Sequence, residues 1–592
     1  MKTKHKILPL AIIMFTLFSC SEDLLDKKPL DKFSEASVWE DLNLTEAFVN
    51  NQYKVLPKLG WYEWIRAYQL SCFTDEAVHK YGYHGVNDYW GGIMGPSITT
   101  GIDVWRYHYE FIKGCNDFLK NIDKVPANSG EEQARKDRMK GEIYALRAWS
   151  YMDLAARYGG VVLITEPFSL DDDFARDRST FDETVALVVE DIDKAISLLP
   201  PKYSEDKNWG RITKGAAMAM KSRMLLYAAS PLFNPSGDIT KWEAAATAAK
   251  DVIDLHEYIL EPDYKQMFLT NKNEEIILCR MNDNVNLDGY FEYFQVVEGL
   301  GGGIDGNGYA DGWSTTMVSQ NLVDDFEWDD GSEFDWENPD DAADPYGIGE
   351  NGRVDIQGNP IKKRDPRFYV SVTFDGSSWI ADSAVQFWVC EQSNNFTMYP
   401  FSTDFKIDNT VYGRNSLGNL GFKQDCPDMG YIYRKAMNPK YDIDVEQYPF
   451  SVPWIIIRYA EILLNYAEAS FEAGDEETAL TYLNMVRDRV SMPPVDASGD
   501  ELRQKIRHER RIELCLEAHR YFDARRWKIA EVEFSKPIRA VRIVKDKNSD
   551  TKIYNVFEYQ QRIFPGKYYL QPIPQYELNK ADLQQNPGYS TN

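Results

Sequence analysis

The chain has little of what usually marks an enzyme or a membrane protein. Across its 592 residues there is no H-E-x-x-H segment and no G-x-S-x-G segment, and only 7 histidines occur, so neither a zinc-hydrolase helix nor a nucleophile elbow is available. Beyond the first 18 residues no apolar run approaches the roughly 20 residues of a membrane-spanning helix. Cysteine is sparse too. Cys72, Cys115, Cys279, Cys390, Cys426 and Cys515 are widely scattered with no C-x-x-C pair, which fits small buried side chains better than disulfide staples or a metal site. Basic residues are outnumbered, 66 Lys and Arg against 93 Asp and Glu, for a net charge of −27. That balance excludes nucleic acid and anionic membrane faces as electrostatic partners.

Glycine motifs exist but lack their setting. Gly301–Gly306 and Gly347–Gly352 both satisfy G-x-G-x-x-G, yet neither follows a strand or opens an apolar helix, so both read as flexible loops and not phosphate cradles. Asn284, Asn286, Asp288 and Gly289 imitate the start of a calcium loop, but its twelfth position is Gln295. No metal and no cofactor is expected.

The amino terminus carries Lys2, Lys4 and Lys6, then an apolar run from Ile7 to Phe18. A run of roughly 12 residues is too short to span a bilayer and predicts a secretory signal peptide over 1–19. Ser19 before Cys20 resembles the lipobox of bacterial lipoproteins, with Cys20 as the acylated first residue. Glu22, Asp23 and Asp26 follow, resembling a surface-export signal. The resemblance implies a lipid-anchored protein of the outer membrane facing outward.

Helical periodicity dominates three regions. Met139, Ile143 and Leu146 begin a stripe that Tyr151, Leu154, Ala155 and Tyr158 continue, and Gly159-Gly160 stops it. A second region predicts helices over Thr213–Ala229 and from Trp242 to about His256. A third runs from Tyr459 almost to Trp527, broken by Gly474 and Pro493-Pro494. Leu463, Ala467, Gly474, Ala479 and Leu483 occupy tetratricopeptide offsets, and Ala195 and Pro200 fit the close of an earlier unit. Helix pairs of this kind bury their stripes by stacking. The expected fold is mainly α: a tetratricopeptide-like helix-pair scaffold, mainly 103–281 and 454–530, with a large irregular region, mainly 282–453, containing a few short strands such as Arg367–Phe374.

Several segments resemble the SusD/RagB family. They are Cys115–Leu119, Ala145–Ala148 with Tyr158–Val161, Gly210–Ala217, and above all Arg458–Ala469, RYAEILLNYAEA. Glu509–Leu514, Arg520, Asp523 and Arg525–Trp527 follow. A C-terminal signature over 565–592 contains Pro572–Pro574 and Gln585–Tyr589. The resemblance implies one SusD-like glycan-binding body over 20–592, acting without catalysis. It would capture oligosaccharide or polysaccharide fragments and deliver them to a SusC-like TonB-dependent transporter, with peptide capture, as in the RagB branch, as the alternative, a surface glycoside hydrolase as a lesser one and a purely structural transporter subunit as a third. The middle region carries none of these motifs, and there the family varies with ligand.

Two sets of residues could carry chemistry. Glu509, Glu513 and Glu517 stand four apart on an expected helix, a spacing open to acid/base hydrolysis. With Arg510, Arg511, Arg520 and Arg525 nearby, an ion-pair network between helices is the better reading. Aromatic residues make up 14% of the chain, and their crowding in Gly-rich loops points to sugar binding: a ring stacks on the apolar face of a sugar while neighbouring amides and carboxylates take its hydroxyls. The candidates are Tyr83, Asn87, Tyr89 and Trp90 in one loop and Tyr290, Tyr309 and Trp313 in another, with Trp61, Tyr62 and Trp64 in reserve.

Overall fold

The computed structural model describes residues 35–57, 70–82, 85–98, 102–169, 172, 176–281, 314–378, 389–390, 406–407, 410–412, 428–437, 452–546, 549 and 551–589. Most of its longer helices start where short polar side chains can accept the free amides of a first turn. Helix α1 (Leu42–Gln52) opens on Asp41, which accepts from the amides of Asn43 and Leu44. The one-turn α2 (Val86–Trp90) and α3 (Trp105–Asn121) follow. Helix α4 (Gly130–Tyr158) opens on Ser129 and ends where Gly159 takes φ 77°, a left-handed position at which a side chain would be strained. Thr180 and Glu183 form a capping box at the head of α5 (Phe181–Leu198). Thr213 caps α6 (Lys214–Ala229) and Asp238 caps α7 (Ile239–Ile253). Neighbours in sequence are neighbours in space: α3 packs on α4, α4 on α5, α5 on α6 and α6 on α7.

The middle region supplies α8 (Gln320–Asp325) and α9 (Pro366–Ser371). The second corrects the sequence expectation of a strand over Arg367–Phe374. Asp365 accepts from the Arg367 amide at 2.9 Å and Pro366 sits at the first helical position, so the segment begins as a helix. Only its end, Val372–Thr373, is a strand. The expected C-terminal helical region resolves into α10 (Tyr459–Glu472), α11 (Glu476–Arg489), α12 (Gly499–Glu513) and α13 (His519–Arg526). Helix α10 packs on α7, which joins this group to the first.

Four small sheets tie distant segments together. Strand β1 (Ala77–His79) pairs antiparallel with β3 (Thr316–Val318). Strand β2 (Ile276–Arg280) pairs with β9 (Trp454–Arg458), and β4 (Val372–Thr373) with β8 (Ile432–Tyr433). The fourth sheet has the order β11-β10-β5-β7-β6, from β5 (Val389–Cys390), β6 (Lys406–Ile407), β7 (Thr410–Tyr412), β10 (Ile538–Lys545) and β11 (Lys552–Gln560). One large hydrophobic cluster runs through α1, α3 to α7 and α10 to α12, and a second gathers Tyr89, Trp90, Tyr521, Phe534 and Phe564. Cys72, Cys115, Cys279 and Cys515 are free and buried; the side chains of Cys390 and Cys426 lie outside the described residues. Among the described residues no helix is long and apolar enough to cross a membrane. In the Gly347–Gly352 loop the amides of Ile348 and Gly349 are taken by the Asp344 carboxylate at 3.1 and 2.8 Å, so these two are not offered to a phosphate. The Gly301–Gly306 loop and the Asn284–Gln295 segment lie outside the described residues.

Candidate ligand-binding surface

The two loops singled out for sugar binding are over 200 residues apart in sequence, and the β1–β3 ladder brings their flanks together. His79, at the end of β1, pairs with Thr316, at the start of β3. The next rung is a hydrogen bond from the Lys80 amide to the Thr315 carbonyl at 2.9 Å. Because the strands are antiparallel, the chain leaving β1 toward Tyr83 and the chain arriving at β3 from Trp313 emerge at one end of one ladder. The other flank, Arg280, donates to the carbonyls of Lys54 and Leu56 at 3.0 and 2.5 Å. Tyr83, Tyr290, Tyr309 and Trp313 lie outside the described residues, as do Trp61, Tyr62, Trp64 and Cys20.

Helix α2 separates its last four residues by face. Asn87 and Asp88 are exposed, and the Asn87 amide lies against Gly82, whose φ of 62° turns the chain before the helix. Tyr89 and Trp90 are 0% and 3% exposed, which corrects their assignment as stacking platforms. The Trp90 indole donates to the Cys72 carbonyl at 2.9 Å, and the Arg562 guanidinium stands 4.1 Å from its ring centre. The Tyr89 ring meets Phe73 and Trp90 edge-on at 5.1 and 4.8 Å, and its hydroxyl is bonded by Arg525. Both rings are spent on the second hydrophobic cluster. Of the described candidates, Asn87 alone faces solvent.

The carboxylate row is a structural network, with partners other than those the sequence suggested. Glu509 and Glu513 lie in the last turns of α12, while Glu517 falls beyond its end. Arg367 of α9 bridges Asp365 at 2.6 Å and Glu513 at 3.0 Å and also binds Glu509. Arg458, where β9 meets α10, reaches Glu275, Glu513 and Glu517 at 2.9, 2.5 and 2.8 Å. Arg487 joins Glu509 to Glu327, Arg489 joins Glu513 to Glu275, and Lys435 holds Glu517 at 2.6 Å. The nearby arginines act elsewhere: Arg510 binds Asp523, Arg511 and Arg520 bind Asp75, and Arg525 binds the Tyr521 carbonyl. Burial would raise the Glu513 carboxyl, yet Arg489, Arg458 and Arg367 hold it well below the usual range. A carboxylate so low and so enclosed cannot serve as a general acid. The signal in the sequence was Arg458 directly before the apolar helix, and Arg487 and Arg489 in the last turn of α11.

Sequence reasoning missed one aromatic-lined cavity. A space of about 240 Å³ opens between the approach to α6 and the segment before β2, with Tyr203, Trp209 and Tyr258 beside Asn208, Arg211 and Lys272. Here too the rings have partners. The Trp209 indole donates to the Asn271 carbonyl at 2.8 Å, and the Lys272 ammonium stands 5.2 Å from its ring centre.

Comparison with known proteins places this geometry in context. The model of the SusD family matches residues 273–589, and a model described as starch-binding and associating with the outer membrane matches residues 30–226. A SusD-like protein, P25, of Formosa agariphila is 23% identical over 556 residues, covering 88% of this chain and 90% of that protein. A SusD-like protein from Bacteroides fragilis superposes with a TM-score of 0.73 at 28% identity, over 95% of this chain and 100% of the other. A second structure from that organism, described as a SusD-like carbohydrate-binding protein, gives 0.70 at 22% identity, over 92% and 99%.

Proposed function

The chain belongs to the SusD family, and from that premise we propose that it captures oligosaccharides at the outer surface of the outer membrane and hands them to a SusC-like TonB-dependent transporter. The activity is binding, without catalysis. The observation that carries this reading is that the β1–β3 ladder brings the described flanks of two aromatic-rich stretches of sequence to one end. Asn87, whose amide lies against Gly82 beside the ladder, is proposed to take a sugar hydroxyl, and Tyr83, Tyr290, Tyr309 and Trp313 are the rings proposed to meet the sugar. The likeness to a carbohydrate-binding protein of the same fold and the outer-membrane association named for the family matching residues 30–226 support it. So does the use of the Glu509 to Glu517 row in ion pairs, which leaves no acid/base pair there.

The anchor is acylated Cys20, and the helix pairs of 103–281 and 454–530 form a tetratricopeptide-like scaffold behind the loops. Holding ligand at the transporter mouth raises its local concentration, which makes capture useful without chemistry. The test is calorimetric titration of the unlipidated chain against plant, host and microbial glycans, with Trp313→Ala alongside. Saturable binding with the glycan recovered intact, weakened in Trp313→Ala, is expected. Binding only to peptides, or release of shorter products, overturns the proposal. Co-purification of a TonB-dependent transporter with the lipidated protein from membranes tests the handover.

A further inference from the structure

The outward side of α12 opens on a cavity of about 410 Å³, within the range of about 300–1,000 Å³ typical of small-ligand sites. Six cations line it: Lys505, Arg507, Arg511, Arg520, Lys536 and Arg539. Four carboxylates accompany them, Asp75, Asp325, Glu333 and Glu533. The lining is therefore basic in a chain whose net charge is −27.

Most of these cations are spoken for. Arg511 and Arg520 both reach Asp75, at 2.5 and 2.9 Å, and Arg539 reaches Asp324 at 2.6 Å. Lys536 pairs with Glu533 at 2.7 Å and Lys505 more loosely with Glu327 at 3.3 Å. Arg507 differs: among the described residues it forms no ion pair. Its guanidinium lies 5.0 Å from the centre of the Trp527 ring, whose indole N–H is already donated to Glu468 at 2.6 Å. A guanidinium held over a ring and without an ion pair keeps N–H donors available, the fork that matches a planar or tetrahedral oxyanion. Burial pushes the Arg507 guanidinium below its ordinary range, the direction expected of a cation that lacks a full counter-charge. The cavity offers no bare aromatic platform for a neutral sugar, because Arg507 covers the one tryptophan in its lining.

We propose that this cavity is a subsite for an anionic substituent of the glycan, a carboxylate or a sulfate ester, with Arg507 as its fork and Lys505 as a supporting charge. The proposal rests on the glycan-binding reading above. Geometry links the two places: Asp75 lines the cavity just before β1, and Lys80 follows β1 at the loop flanks. Five residues of chain span at most roughly 18 Å, which bounds the distance between them.

The experiment titrates the unlipidated chain and its Arg507→Gln variant with matched pairs: oligogalacturonate against its methyl ester, and a sulfated galactan oligosaccharide against its desulfated form. In the wild type at least one charged member should bind about tenfold more tightly than its neutral partner, less so as salt is raised. Arg507→Gln should reduce that preference to within about twofold, leaving neutral-glycan affinity and thermal stability unchanged. The carboxylate and sulfate pairs separate the two sources of the anion. Should the variant be unstable, Arg507→Lys, which keeps the charge and loses the fork, should retain only part of the preference. Neutral glycans binding as well as charged ones would overturn the subsite while leaving the proposed function standing. An absence of glycan binding of either kind would overturn both, and a preference surviving in Arg507→Gln would overturn the role of Arg507.

Discussion

On one side of α12, Glu509 and Glu513 are ringed by Arg367, Arg458, Arg487 and Arg489. On the other side, Arg507 and Arg511 face an open cavity. The same side-chain chemistry does two jobs, and what separates them is whether each charge has its partners. The first face is closed: its carboxylates are buried and each accepts from at least two cations. A charge in such a setting orders the helices it bridges. The second face keeps one guanidinium without an ion pair among the described residues, and the anion subsite proposed above lies there.

The sharpest way to break this comparison is to open the closed face. Glu513→Ala takes one carboxylate from three buried arginines, Arg367, Arg458 and Arg489, each of which keeps another, and removal of one member of a buried ionic network costs about 3–5 kcal/mol. Urea unfolding should show a loss of that size or a failure to fold. A loss below about 1 kcal/mol would mean that the network does not order the helices. Trp90→Phe comes next. It keeps most of the ring volume but leaves the buried Cys72 carbonyl without its indole donor, at about 1–3 kcal/mol. Stability should fall while glycan affinity holds.

Acid titration sharpens the contrast further, because two buried carboxyls move in opposite directions. Burial would raise Glu468, but Arg526 holds it down to about 2 against an ordinary 4.5. Its stabilisation is therefore complete above about pH 4.5 and is lost as the pH falls toward 2. Glu76, which accepts from the Leu516 amide at 3.3 Å, is pushed up to about 7 by burial. Its native state favours the proton, so stability is greatest below about pH 4.5 and declines as the pH rises through 7. Melting curves between pH 4.5 and 7.5 should show a decline in the wild type that Glu76→Gln flattens. A decline equal in both would remove Glu76 as its source.

The helical body was readable from the sequence because its signals are local. Thr213 before an apolar stripe and Gly159 after one mark helix ends wherever the chain goes next, and α4 and α6 lie where those marks put them. The Arg367–Phe374 segment misled because alternation of apolar residues outweighed the Asp365-Pro366 start signal beside it. Contacts were less legible than elements. Nothing near Glu513 in sequence points to Arg367, 146 residues away, and the arginines close at hand turned out to serve Asp75 and Asp523. The same gap explains Tyr89 and Trp90: a Gly-rich frame suggests a surface loop, but one turn of helix gives this loop an inward face. The pairing of β1 with β3, which joins the flanks of the two aromatic loops, was equally hidden, since a three-residue strand pairing leaves almost no periodic trace.

Asn87 provides the finest test, because it shares α2 with the two buried rings and differs from them only in the direction it faces. Its side chain is exposed, so Asn87→Ala should change stability by less than about 0.5 kcal/mol, as surface substitutions usually do. If the helix presents this amide to a sugar hydroxyl, losing one such bond, about 0.5–1.5 kcal/mol net, weakens binding by about 2- to 13-fold. Trp90→Phe should do the reverse, lowering stability and sparing affinity. Titration and melting of both variants against one glycan that binds the wild type decide the matter. Affinity lost in Asn87→Ala alone places the ligand on the outer face of α2. Affinity lost in Trp90→Phe with Asn87→Ala silent would mean that the helix turns over to bind, and that the buried position of Trp90 is the unliganded half of a two-state surface.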